Sequence, residues 1–244
     1  MALDVGAWRG LRLVSPVAGG HRNEVWRGDI AGTPVSVRRS RRSTESLDWE
    51  LDLIEQLDAA DLIVPTVVRS DDGRRHVDRV VVQQWIGGRE PSIQHDWRLV
   101  ADALSRVQRL PVAPTGQRPG CSTVVELTRA GRSVDADLAA LPDDVAARVL
   151  AVFAEFADAP VTLIHGDPHA SNLRILDDGR VGLLDFDESR VDVTWHDLSN
   201  LGVQVLDDDT HARAQRLSDA WEAANAWVVE PDYARHRLRR LADI

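Results

Sequence analysis

Residues 165–192 read HGDPHASNLRILDDGRVGLLDFDESRVD. His165, Asp167 and Asn172 form an H-x-D-x4-N loop. A hairpin with its turn at Asp178–Gly179 follows, and an apolar run then leads into Asp185-Phe186-Asp187. A polar hairpin tip would by itself contain Asp, Asn and Pro. It would not require this spacing, or a second carboxylate directly after an apolar strand. The set suits phosphoryl transfer. Magnesium takes hard oxygen ligands and keeps several waters, so one side-chain amide and one carboxylate suffice beside a nucleotide's phosphates. Asn172 and Asp185 supply that pair from the two sides of one hairpin, and Asp167 is placed to accept or orient the proton of an attacking hydroxyl. A second metal reading takes His165, Asp167 and His169 as zinc ligands. Two histidines four apart share a face only on a helix, and Pro168 and the flanking strands argue against one.

The motif lies between regions of different character. Upstream, LRLVSPV, EVWRGDI and TPVSVRR read as three short strands over 11–39, with a turn at Ala31–Gly32. Residues 45–58 read as a helix capped by Ser43 or Thr44. Residues 63–69 and 78–86 read as further strands around the 71–73 turn. After IGGREP (86–91) the pattern turns helical over 95–110. A Pro/Gly loop fills 110–120, a helix runs over 142–158 with Pro142 in its first turn, and the strands VTLIH (161–165) and LRILD (173–177) flank the motif loop. Residues 195–244 read as mainly helical. Asp207-Asp208-Asp209 reads as a helix N-terminus, where acids complement the dipole, rather than as a trap for a cationic substrate.

The form HGDxHxxN…LLDFD resembles the aminoglycoside phosphotransferase / choline kinase family of small-molecule kinases, and Trp195-His196-Asp197-Leu198 resembles that family's Asp-Leu at the start of the next helix. The resemblance implies an α+β, bilobal protein-kinase-like fold. A small N-terminal antiparallel sheet with one helix would form a nucleotide-binding lobe (1–86). A hinge (87–94) and a larger, mostly helical catalytic and acceptor-binding lobe (95–244) would follow. It implies transfer of the γ-phosphate of ATP or GTP, with Mg2+, to a hydroxyl of a small molecule such as an aminoglycoside or a metabolic alcohol. Asp167 would be catalytic, and Asn172 and Asp185 would hold metal.

The family pattern also points upstream. Val35-Ser36-Val37-Arg38 fits the strand that carries a phosphate-binding lysine, V-A-I-K in protein kinases, with arginine in the lysine position. Its acidic partner should come from the inward face of the next helix. At about 100° per residue, with Leu47 at zero, Leu51, Ile54, Leu57 and Leu53 span an apolar arc, and Glu50 falls in its middle near 300°. A lone carboxylate there is costly unless paired, which makes Glu50 the candidate partner of Arg38. Gly19, Gly20 and Asn23 resemble the family's short loop over the phosphates, whose backbone N–H groups can cradle anions. Gln84 lies on the hinge strand, Gln83 to Ile86, where backbone groups hold the base.

Two departures matter. Arginine is longer and planar than the lysine it replaces, so the exchange is not neutral. The chain has no lysine anywhere among its 29 basic residues. Asp187 stands where protein kinases have glycine. Variation at Asp187 is what the resemblance to the small-molecule family implies, so it is arginine in the lysine position that leaves an alternative reading, a catalytically impaired, nucleotide-binding or regulatory protein that keeps the fold.

Composition narrows the rest. The net charge is −10 over 244 residues. That argues against reading the arginine run at 38–42 as a general nucleic-acid patch, because phosphate affinity rests on clustered positive charge. Cys121 is the single cysteine, so there is no disulfide framework. No window reaches about 18 consecutive apolar residues. The expectation is a cytoplasmic protein without a membrane or nucleic-acid partner.

Overall fold

The computed structural model describes residues 3–17, 24–111, 116–202 and 205–242. In chain order its elements are β1 (Leu11–Pro16), β2 (Glu24–Ile30), β3 (Thr33–Arg39), α1 (Thr44–Ala59), β4 (His76–Val77), β5 (Val80–Gln84), α2 (Gln94–Gln108), α3 (Val124–Ala130) and α4 (Asp143–Ala154). There follow β6 (Val161–Ile164), β7 (Leu173–Ile175), β8 (Val181–Leu183), β9 (Arg190–Val193), α5 (Trp195–Leu198), α6 (Asp208–Ala226) and α7 (Pro231–Ala242). Two compact units result: Met1–Arg89 with Arg174–Leu184, and Glu90–Leu173 with Asp185–Ile244.

The first unit is an antiparallel sheet in the order β1-β2-β3-β5-β4. Ala31 and Gly32 both take positive φ between β2 and β3, the two-residue turn whose twist matches paired strands. Side chains alternate along β3. Val35 and Val37 join Leu3, Trp8, Leu11, Val80 and Val82 in one apolar cluster. Ser36 and Arg38 therefore project to the opposite face. Ser43 caps α1 by accepting from the Ser46 N–H at 3.2 Å, a bond of the kind worth about 1 kcal/mol. Leu47, Leu51, Leu53, Ile54 and Leu57 are all buried on α1, each contributing roughly 1.5–3 kcal/mol over an exposed position. The buried arc is wider than the leucine pattern indicates, because Trp49 is buried too. On the polar side Arg75 pairs with Asp48 at 3.1 Å and with Asp52.

The strand expected over 63–69 does not form. Only isolated bridges appear, Ile63 to Gly182 and Val67 to Gln83. Pro65 between them has no N–H to give a ladder. The apolar run is real, since Leu62 and Val64 are buried. The strand expected over 78–86 is shorter, β5, with β4 paired to it through Asp78 and Arg79, both at positive φ.

The second unit is mainly helical. Its core joins Val124 and Leu127 of α3, Val149 and Phe153 of α4, Val193 of β9, Leu217 and Trp221 of α6, and Leu238 of α7. Asp207 caps α6 by accepting from the Thr210 N–H at 2.9 Å, in line with the helix-terminus reading of the three aspartates. The periodicity gives no sign of β9, which pairs antiparallel with β6 from Val161–Val193 to Ile164–Arg190.

Candidate active site

The motif loop is fixed from several sides. Its anchor is Asp197 on α5, which is fully buried. One carboxylate oxygen accepts from the backbone N–H of His165 at 3.1 Å and the other from that of Gly166 at 2.9 Å. Gln108 adds a side-chain N–H at 3.2 Å. Charge-assisted bonds of this kind are about twice as strong as neutral ones. His165 is itself buried; its Nδ1 accepts from the Asp167 N–H at 3.3 Å, and its ring lies 4.9 Å from that of Phe186. Gly166 has φ +88°, and a Cβ there would overlap the Glu188 carbonyl. Only glycine lets the loop lie against the 186–189 segment.

The loop's polar tip is ordered internally. Asn172 donates through Nδ2 to both the carbonyl and the Oδ2 of Asp167, each at 3.0 Å. The same amide therefore turns its Oδ1 away from Asp167, as the hard oxygen a metal requires. His169 caps the 3-10 turn at 170–172; its Nδ1 lies 3.0 Å from Ser171 Oγ. That is a supporting role, and among the described residues no group of three His, Cys, Asp or Glu forms a metal cluster.

Asp185 follows β8 with φ 55° and ψ 76°, the left-handed region. A non-glycine residue there carries about 1–3 kcal/mol of strain and is held by its surroundings. The 3-10 turn that follows, Phe186–Glu188, is closed by the Ser189 N–H to the Phe186 carbonyl at 3.1 Å. Ser189 Oγ donates to the His165 carbonyl at 2.8 Å. The HGD loop and the DFD turn thus form one hydrogen-bonded block. The amide oxygen of Asn172 and the carboxylate of Asp185 are hard oxygen donors, of the kind that suits magnesium rather than a softer metal.

A polar cluster behind the block was not legible in the sequence. Arg190 and Asp192 on β9 and His196 on α5 are all buried. Asp192 accepts from Arg190 Nε at 2.9 Å and from the Val124 N–H at the start of α3 at 3.1 Å. The Arg190 guanidinium stacks 4.1 Å over Trp221, a cation–π contact. Burial pushes the Asp192 carboxyl up, but Arg190 and His196 more than offset this and hold it low. Burial, then Arg190, push His196 below its ordinary 6.5, against the pull of Asp192. The unfolded chain therefore takes a proton on His196 before the folded one does. Its contribution to stability is complete above pH 6.5 and is lost as pH falls towards the depressed folded value. The expected slope from this group is up to about 1.4 kcal/mol per pH unit. A melting series between pH 8 and 5 should show it in the wild type and lose it in His196→Gln.

In the first unit, Arg38 and Glu50 meet as expected. Arg38 Nη2 bonds Glu50 Oε1, and the side chains are only 7% and 1% exposed. Arg38 lies opposite Val25 on β2 and Val81 on β5. The neighbouring Arg41 is exposed, while Arg39 and Arg42 are half-buried. Gln84 spends its backbone N–H on the Thr66 carbonyl at 2.9 Å. Gln83 is the buried one of the pair, its Nε2 donating to the Pro65 carbonyl at 3.0 Å. Gly19, Gly20 and Asn23 lie outside the described residues.

An antiparallel N-terminal sheet with one helix, joined to a helical unit carrying the HGD loop and the DFD turn, defines a kinase-like α+β fold. A thermostable mutant of the aminoglycoside phosphotransferase APH(4)-Ia shares it with a TM-score of 0.71 at 13% identity, over 96% of this chain and 94% of that one. The gentamicin complex of APH(2")-IIa follows at 0.66 and 15%, over 100% and 97%, and the choline kinase LicA from Streptococcus pneumoniae at 0.63 and 15%, over 95% of each. No curated protein matches the chain in sequence. The chain belongs to the phosphotransferase enzyme family, whose model matches residues 13–239.

Proposed function

We propose that the chain is a small-molecule kinase that moves the γ-phosphate of ATP or GTP to an alcohol. The carrying observation is the Asn172–Asp167 contact within a loop held at its base by Asp197. That contact holds the Asp167 carboxylate in place by one oxygen. Its role is to take or orient the proton of the acceptor hydroxyl. Arg38, oriented by Glu50, carries the fixed positive charge for the nucleotide's α- and β-phosphates. Asn172 Oδ1 and the Asp185 carboxylate would hold Mg2+, which when bound neutralises phosphate charge during transfer.

The relatives support an acceptor of the aminoglycoside or amino-alcohol type: one is a complex with gentamicin and another a choline kinase. Among the described residues no helix is long and apolar enough to cross a membrane. Arginine in the lysine position favours one other reading, a protein that binds nucleotide without turnover.

Two measurements separate these. Saturating Mg-nucleotide should stabilise the protein by about 2.7 kcal/mol at 100 times Kd, read as a rise in melting temperature. A phosphotransfer screen over aminoglycosides and metabolic alcohols should give turnover with at least one. Stabilisation without any turnover would support the non-catalytic reading. No magnesium-dependent nucleotide binding at millimolar concentration would overturn both.

A further inference from the structure

We infer that Arg118 is a positioning residue for the metal-binding carboxylate of Asp185; the inference rests on the reading just proposed. Arg118 sits outside the regular elements, in the loop before α3, yet is 1% exposed. Its Nη1 points to three backbone carbonyls of one short segment: Phe186 at 2.8 Å, Asp187 at 2.9 Å and Ser189 at 3.1 Å. These bonds span 68 to 71 residues of sequence. The neighbouring Gln117 adds a bond to the same stretch, its Oε1 accepting from the Val191 N–H at 3.3 Å. Arg118 thus braces the turn that begins immediately after Asp185, and Gln117 holds β9, the strand that follows it.

A buried guanidinium is costly unless its donors are used. Here Nη1 is spent on backbone carbonyls, so the charge serves to hold a main-chain path. That path is the one that needs holding. Asp185 is at φ 55°, a conformation that persists only where the surroundings determine it. The carbonyls Arg118 gathers are those of the next turn, and drawing them together fixes the exit from the strained residue. The Phe186 carbonyl is shared with the Ser189 N–H, so the same contact closes the 3-10 turn. These three bonds of Arg118 all go to main-chain carbonyls. Its effect passes through the backbone to the direction of the Asp185 carboxylate, as residues behind metal ligands orient them.

The test is the magnesium requirement for nucleotide binding, read by titrating Mg2+ against a fluorescent ATP analogue, with melting temperature measured in parallel. Removing such a supporting partner typically weakens metal binding about 10- to 100-fold. Arg118→Ala should therefore raise the half-saturating Mg2+ by at least about tenfold, leaving metal-free nucleotide affinity near that of the wild type. Arg118→Lys should recover part of the loss, and millimolar guanidinium should recover part in Arg118→Ala. If Arg118→Ala does not fold, Arg118→Lys and the exposed Gln117→Ala give the readout, each with a smaller shift in the same direction. A lower melting temperature with an unchanged Mg2+ half-saturation in folded variants would make Arg118 a purely structural residue and overturn the inference. A wild type that binds no Mg-nucleotide would overturn the proposed function, and this inference with it.

Discussion

Asp167→Asn is expected to lower phosphotransfer by roughly 10²- to 10⁴-fold, the usual worth of a positioned general base, while Mg-nucleotide binding stays close to wild type. The exchange is nearly isosteric. Asn172 Nδ2 holds the residue through two acceptors at 3.0 Å, its carbonyl and its Oδ2. The carbonyl is untouched, and an amide oxygen can replace the carboxylate oxygen as acceptor. Asp197 continues to grip the N–H groups of His165 and Gly166, so the loop has no reason to move. What disappears is the basic oxygen to which the proposed function assigns the acceptor's proton. Turnover on the best acceptor of the screen, measured beside nucleotide affinity, separates the two effects. Equal loss of affinity and turnover would mean that Asp167 works in binding and would remove it from the chemistry.

Glu50→Ala is expected to destabilise the folded protein by about 3–5 kcal/mol, because it leaves the Arg38 guanidinium buried without its carboxylate. Arg38→Met combined with Glu50→Leu should cost far less, since a buried pair replaced by apolar groups of similar size is often close to neutral. Urea unfolding of the wild type, both single variants and the double variant gives the coupling energy directly. The double variant should be stable and unable to bind Mg-nucleotide normally. That result would show that the pair is kept for phosphate binding and not for stability. A double variant with wild-type nucleotide affinity would take Arg38 out of the site. Arg38→Lys asks the remaining question, whether the shorter point charge works beside Glu50 in place of a planar fork.

How far the sequence carried depended on whether residues act as a local pattern or as isolated partners. The H-x-D-x4-N loop and the second carboxylate after a strand are contiguous, so spacing alone marked Asp167, Asn172 and Asp185. Glu50 was legible because helical angles are regular, and a carboxylate in an apolar arc is a conflict that calls for a cation. The same regularity under-reported the arc, since Trp49 fills a position the leucines left open. The strand over 63–69 failed for the opposite reason: its apolar pattern reports burial, whereas Pro65 decides hydrogen bonding. Arg118 left no trace. It is one arginine in a Pro/Gly loop, and its partners are main-chain carbonyls, which every residue has. Arg190, Asp192 and His196 were hidden in the same way, as charged residues on a four-residue strand and a four-residue helix too short to show a period.

The lysine-free pair of Arg38 and Glu50 has a chemical consequence of its own. Nucleotide-site lysines are commonly mapped with reagents that acylate amines or condense with them to imines. A guanidinium is not a nucleophile at neutral pH and stays protonated throughout the working range. No side chain of this protein offers a primary amine, so acyl-phosphate nucleotides and pyridoxal-type aldehydes should bind reversibly and leave no lysine adduct. Enzymes of this kind would be missed by any survey that captures kinases through a labelled lysine, and finding them requires probes that react with carboxylates or arginine.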